Sequence, residues 1–150
     1  MLKKIILVVI SLVAAGALGY YLANLVRDRA TSPEALPEKV LTFISEHFQD
    51  EKIAFAKEDR DLFKLTYEIV LTDGTKLEFR RNGDWKEIKR HRVGIPEGIV
   101  PEKAAAKVNE LYPNSVITKA EYDDNDLELE LDNGLELKFD KSFNLTGLDR

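Results

Sequence analysis

The chain has 150 residues, room for one ordinary domain and an appendage. A content of 44% hydrophobic and 33% charged residues excludes a disordered polymer, and the absence of cysteine excludes disulfides, thiolate metal sites, a cysteine nucleophile and a lipidated cysteine. Setting Lys3 and Lys4 aside from the 22 basic residues leaves 20 against 27 acidic ones after position 26, a net charge of −7, which argues against nucleic acid or an anionic membrane surface as the main partner.

In chain order, Lys3 and Lys4 precede IILVVISLVAAGALGYYLANLV, residues 5–26, which carries no charge. As a helix this stretch would span about 33 Å, close to the roughly 30 Å hydrocarbon core of a bilayer. Small residues at 15, 17 and 19 suit a cleaved signal peptide; the apolar YYLANLV beyond them suits an uncleaved anchor. Both readings stay open. Both export the rest of the chain, because the basic start stays inside. The expected location is therefore periplasmic or in the cell envelope. Residues 27–35, polar and with Pro33, read as a linker.

Pro37 opens an expected helix whose stripe is Val40, Ile44 and Phe48, spaced by four. A second, PEKAAAKVNELY at 101–112, carries Ala104, Val108, Leu111 and Tyr112 and is stopped by Pro113. Both begin with Pro-Glu-Lys, at 37–39 and 101–103. A second echo joins LTDGTKLEF at 71–79 to LDNGLELKF at 131–139. Period-two alternation around each Gly predicts a half-buried hairpin. A two-residue Asn-Gly turn would put the apolar sets on opposite faces. A three-residue loop ending in a left-handed Gly pairs Tyr67 with Phe79, Ile69 with Leu77, Leu127 with Phe139 and Leu129 with Leu137, all on one face. Flanking strands are expected at 52–58 and 115–121, whose inward phase the pattern leaves open, and after the turns at 80–85 and 140–145.

The expected fold is therefore α+β: two tandem helix-plus-antiparallel-strand repeats forming one sheet, with both helices packed on one face. The expected domain is residues 36–150, with repeats at about 36–92 and 99–148 after the leader 1–26 and the linker 27–35.

The candidate site is the one basic cluster of an acidic body. Lys86, Lys89, Arg90 and Arg92 surround His91, and Arg80 and Arg81 could join them across the sheet. Such a cluster suits an acidic protein segment or an anionic glycan, against the plainer reading of a solvated strand and linker. Trp85, the single tryptophan, takes the place that Leu145 takes in the second copy, which favours the core; exposed, it would be a binding anchor. The acidic run EYDDND at 121–126 invites a cation but lacks the glycine and glutamate of an EF-hand loop. His47, late in the first helix, reads as structural. No nucleophile motif, HExxH helix, phosphate loop or histidine pair is present, so no catalytic residue, cofactor or metal is expected.

Leu36-Pro37, FISEHF at 43–48, YEIVLTDG at 67–74, NGDW at 82–85, Tyr112-Pro113 and NGLELKFDKSFNL at 133–145 together resemble the PepSY-like (BLIP-like) family of exported bacterial proteins. The resemblance runs from about Leu36 to Leu145. Two positions depart: Arg80 stands where the family usually has aspartate, and DNDLELEL replaces a tyrosine-led strand. The resemblance implies export, the two-copy fold and a protein partner in the envelope or medium, such as a protease. It carries no catalytic residues. A ligand- or cation-binding sensor is the alternative.

Overall fold

The computed structural model describes residues 29–61, 64–91 and 93–150. The candidate leader at 5–26, the start of the linker at 27–28 and Arg92 lie outside the described residues. Among the described residues no helix is long and apolar enough to cross a membrane.

The chain forms one antiparallel sheet in which every strand pairs with its sequence neighbour. β1 is a two-residue strand, Arg29–Ala30, on the edge of β2, Ile53–Arg60. β3 is Leu65–Leu71, β4 Lys76–Arg80 and β5 Trp85–Lys89. β6 is Ile117–Asp123, β7 Asp126–Leu131, β8 Glu136–Phe139 and β9 Leu145–Asp149. Helix α1, Glu38–His47, precedes β2, and helix α2, Glu102–Leu111, precedes β6.

This corrects the expected α+β architecture of two tandem helix-plus-strand repeats with both helices packed on one face. Among the described residues the protein is mostly sheet: eight strands of four to eight residues form one unbroken antiparallel ladder, β1 extends its edge, and two ten-residue α-helices and a single 3-10 turn at Pro33–Ala35 accompany it. The expected boundary between units falls where the ladder continues, because β5 and β6 pair Glu87 with Glu121, Ile88 with Ala120 and Lys89 with Lys119. Backbone groups left open on β5 by its own hairpin are satisfied by β6 rather than by water.

The hairpins are as the alternation demands. Tyr67 faces Phe79, Ile69 faces Leu77, Leu127 faces Phe139 and Leu129 faces Leu137. Gly74 and Gly134 take φ of 84° and 81°, and Asp73 and Asn133 each accept the amide two residues on, from Thr75 and Leu135. The open phase of the flanking strands is resolved by bulges. Register shifts after Ile53 and after Ile117 place Ala56 and Ala120 inward.

Pro37 and Pro101 cap the helices, and their last turns close on the Phe48 and Tyr112 amides. The Lys of each Pro-Glu-Lys triplet reaches a turn of the sheet. Lys39 bonds the Asp84 carboxylate, and Lys103 bonds the Ser142 carbonyl at 2.9 Å and Asn144 Oδ1 at 2.6 Å. Two apolar clusters result. Val40, Ile44 and Phe48 join Ile69, Leu71, Leu77, Phe79 and Ile88. Ala104 and Val108 join Ala120, Leu127, Leu129, Leu131, Leu137 and Phe139. Leu111, expected on the stripe, is exposed; Tyr112 packs against the second cluster. Trp85 and Ile95 touch both clusters.

Candidate functional site

Alternation sends the residues between the core positions to the other face of the sheet, and the register aligns them into lateral rows. One row runs Glu68, Glu78, Glu87, Glu121, Glu128 across β3–β7, with Lys57 at one end and Lys138 at the other. Like charges directly opposite one another repel, and lysines answer each carboxylate. Lys57 pairs with Glu68 at 3.1 Å and Lys86 with Glu78 at 3.0 Å. Lys119 bridges Glu87 at 3.3 Å and Glu121 at 2.5 Å, and Lys138 holds Glu128 at 3.1 Å. Burial opposes charge on Lys119 and Glu121, but the pairing outweighs it: the Lys119 pKa is raised and that of Glu121 lowered. The next row runs Lys76, Lys89, Lys119, Glu130, Glu136, Asp149 across β4–β9.

The sequence-selected residues divide three ways. Arg80, Arg81 and Lys86 come together on an open groove of about 1100 Å³ at one end of this face. The loop ends at Asp61 and Lys64, the β4–β5 turn and the β6–β7 turn frame it. Arg80 donates to the Asp124 carbonyl at 3.2 Å, which ties the two turns together. On Lys86, desolvation opposes the charge, but the Glu78 hydrogen bond together with the charges of Glu78, Glu121 and Glu87 outweighs it, so its pKa is raised. Five basic groups on the groove, Arg60, Lys64, Arg80, Arg81 and Lys86, meet five acidic ones, Asp59, Asp61, Glu78, Asp123 and Asp124. The groove is thus charge-balanced rather than the basic patch that the sequence suggested.

Trp85 points the other way, half-buried against both clusters, with its ring 4.6 Å from that of Tyr122. Tyr122 in turn lines the groove, and burial raises its pKa.

Lys89 and Arg90 are elsewhere. Lys89 sits in the second row between Lys76 and Lys119. Arg90 is a structural clasp: it donates to Asp73 at 3.1 and 3.2 Å and to the Gly94 carbonyl at 3.4 Å, and lies 5.7 Å over the Phe48 ring. Arg92 lies outside the described residues. His47 lies against Phe43, the rings tilted by 52° with centroids 4.7 Å apart, and His91 is exposed.

The acidic run does not converge. Glu121 belongs to the glutamate row, Asp123 faces Asp126 across the turn, and Asp123 and Asp124 line the groove. Among the described residues no three His, Cys, Asp or Glu side chains are placed to hold a metal ion. Sequence reasoning missed Tyr122, Asp123 and Asp124 as neighbours of Arg80, because the β5–β6 pairing that unites them joins segments separated by α2 and carries no turn signal.

The profile of a family described as "Putative beta-lactamase-inhibitor-like, PepSY-like" matches residues 65–147. A solved structure described as a "putative periplasmic protein" of Bacteroides vulgatus is similar with a TM-score of 0.79 and 37% identity, over 82% of this chain and 97% of its own. A "putative calcium-regulated periplasmic protein" of Bacteroides thetaiotaomicron gives 0.79 and 36%, over 82% and 97%. A second Bacteroides vulgatus structure, described as a "putative periplasmic protein of unknown function", gives 0.79 and 31%, over 83% and 100%. Among curated proteins no match is found.

Proposed function

The chain belongs to the PepSY-like family, and from that premise we propose that it is a non-enzymatic module of the bacterial envelope that binds or restrains an envelope or secreted protein such as a protease. The location draws support from the solved relatives described as periplasmic. Residues 5–26 either leave as a signal peptide or remain as the membrane anchor; the mass of the mature N-terminal peptide distinguishes the two.

One observation carries the binding reading. The groove gathers Arg80, Arg81 and Lys86 beside Asp123 and Asp124, with Tyr122 in its lining and the Trp85 ring packed at a tilt behind it. Arginine and aromatic side chains in a partly desolvated recess are the chemistry of protein–protein anchors. A balanced set of charges selects a partner by register rather than by net attraction.

A photo-crosslinking amino acid at Arg81, in the full-length protein in its own envelope, tests this. One protein adduct that disappears when Arg80→Glu is added, with the melting temperature kept, supports the groove. The same adducts with Arg80→Glu, or from a probe at Glu110 on α2, refute it.

A second reading, a cation- or ligand-binding sensor, rests on the relative described as calcium-regulated and on Asp59, Asp61, Asp123 and Asp124 lining the same groove. It requires a rise in melting temperature with Ca²⁺ that Asp124→Asn abolishes.

A further inference from the structure

The two charge rows of the open sheet face differ in one respect. In the glutamate row each carboxylate has a lysine partner within the molecule. In the next row, Lys119 serves the glutamate row and Glu136 pairs with Lys138 at 3.3 Å, but Lys76, Lys89 and Glu130 make no ion pair among the described residues. That row is also arranged at a cost to the monomer. Lys76, Lys89 and Lys119 are direct lateral neighbours, and so are Glu130, Glu136 and Asp149, whereas like charges opposite one another on a sheet destabilise it.

The order is three cations on β4–β6 followed by three anions on β7–β9. Reversed end to end, this sequence of charges is its own complement. Self-complementarity is what a two-fold interface between identical chains needs, because each patch meets the same patch on the other copy. We infer that the open sheet face is a docking surface for a second copy of this chain, related by a two-fold axis that runs along the strands between β6 and β7.

Under that axis β6 meets β7 of the second copy, β5 meets β8 and β4 meets β9. Lys119 then faces the second copy's Glu130, Lys89 faces its Glu136 and Lys76 faces its Asp149, each pair occurring twice. In the neighbouring row the same axis sets Glu87 against Lys138. It also sets Glu121 against Glu128, two carboxylates that each already hold a lysine. A uniformly twisted sheet is unchanged by a two-fold rotation along its strands, so twist does not part the surfaces. The face carries no large apolar anchor on β4–β9 outside the core, so the association is charge-steered and sensitive to salt. It leaves β2, β3 and the Arg81 side of the groove uncovered, and it stands independently of what the groove binds.

The chain has no cysteine, so pairs can be introduced one at a time into the full-length protein in its envelope. Lys76→Cys and Asp149→Cys sit five strands apart in one copy, about 24 Å, beyond a short bis-maleimide, but face each other between copies. The expected result is a covalent homodimer from this double variant. It is lost in about 1 M salt, where the screening length is ~3 Å, and lost again on adding Lys89→Glu. It returns when Glu136→Lys is added to Lys89→Glu, since the swap restores each pair; melting curves confirm that every variant is folded. A Glu110→Cys variant on α2 sets the background. A homodimer yield no greater than that background, adducts to other proteins alone, a dimer indifferent to Lys89→Glu, or failure of the charge swap to restore it would each overturn the inference.

Discussion

Asp73→Ala is expected to unfold the protein more readily than its counterpart Asn133→Ala by about 2 kcal/mol, although both remove the same turn acceptor. Asn133 accepts the Leu135 amide at 3.0 Å and donates to Ser115 Oγ at 3.3 Å, two neutral bonds at the surface. Their loss costs about 1 kcal/mol. Asp73 accepts the Thr75 amide at 2.9 Å, the Thr75 hydroxyl at 2.8 Å, and two N–H groups of Arg90. Thr75 is only 1% exposed, so its hydroxyl cannot turn to water when the acceptor goes. Arg90, its side chain 21% exposed, keeps only the Gly94 carbonyl and the Phe48 ring. Charged hydrogen bonds of about 1.5–3 kcal/mol each, discounted for partial exposure and for sharing one carboxylate, give a cost of about 3 kcal/mol. Urea unfolding read through the single tryptophan, Trp85, measures both variants. A double-mutant cycle with Arg90→Met should show coupling of about 1 kcal/mol or more. Equal costs for Asp73→Ala and Asn133→Ala, or no coupling to Arg90, would refute the reasoning.

The same geometry sets the remaining expected outcomes. Gly83→Ala should cost about 1 kcal/mol more than Gly74→Ala. Both glycines have φ above 80°, but a Cβ at 83 would lie 2.9 Å from the Lys39 Cβ, while nothing lies within 4 Å of one at 74; equal losses in thermal melts would rule out that clash. Lys119→Met removes the cation shared by Glu87 and Glu121 and should cost about 1 kcal/mol at low salt, a loss that shrinks as salt is added. A salt-independent loss would point to packing instead. On acidification, Asp73, Asp84 and Glu121 all have lowered folded pKa values. Their contribution is complete above the unfolded values of about 3.9 for Asp and 4.3 for Glu, and is lost as pH falls through the folded values. Stability measured downward from pH 5 should therefore decline, and less so in Asp73→Asn; a flat profile would contradict the assigned pairings. Leu129→Ala, at a fully buried position, should cost about 2–5 kcal/mol, and a loss below about 1 kcal/mol would mean that the second cluster repacks.

The hairpins were legible because two independent signals agree there. Alternation sets which residues share a face, and Asp-Gly or Asn-Gly sets the loop length that keeps them together. The place of Trp85 followed from the same logic: it faces Phe79 as Leu145 faces Phe139. The flanking strands were not legible, since bulges shift the phase after Ile53 and Ile117 and the inward positions fall to alanine, a weak apolar signal. The basic cluster misled because neighbours in a strand do not share a face. Over 85–90 the chain sends Trp85 and Ile88 into the core, Lys89 to the open face and Arg90 to Asp73. The union of Arg80 with Asp124 depends on pairing between strands separated by a helix, and no local residue announces it.

The division of the core has a kinetic consequence. Every buried member of the first cluster lies within 36–99, and every buried member of the second within 100–139. Each strand also pairs with the one just before it in sequence. A chain delivered N-terminus first can therefore close α1 and β2–β5 around a finished apolar cluster while the remainder is still emerging. Later strands add to the exposed edge of β5 one at a time: β6 closes the connection that carries α2, and β7–β9 then follow through short turns. Until β6 arrives, that edge and the half-covered Trp85 are the surfaces most prone to aggregate, and they mark where a chaperone would be needed.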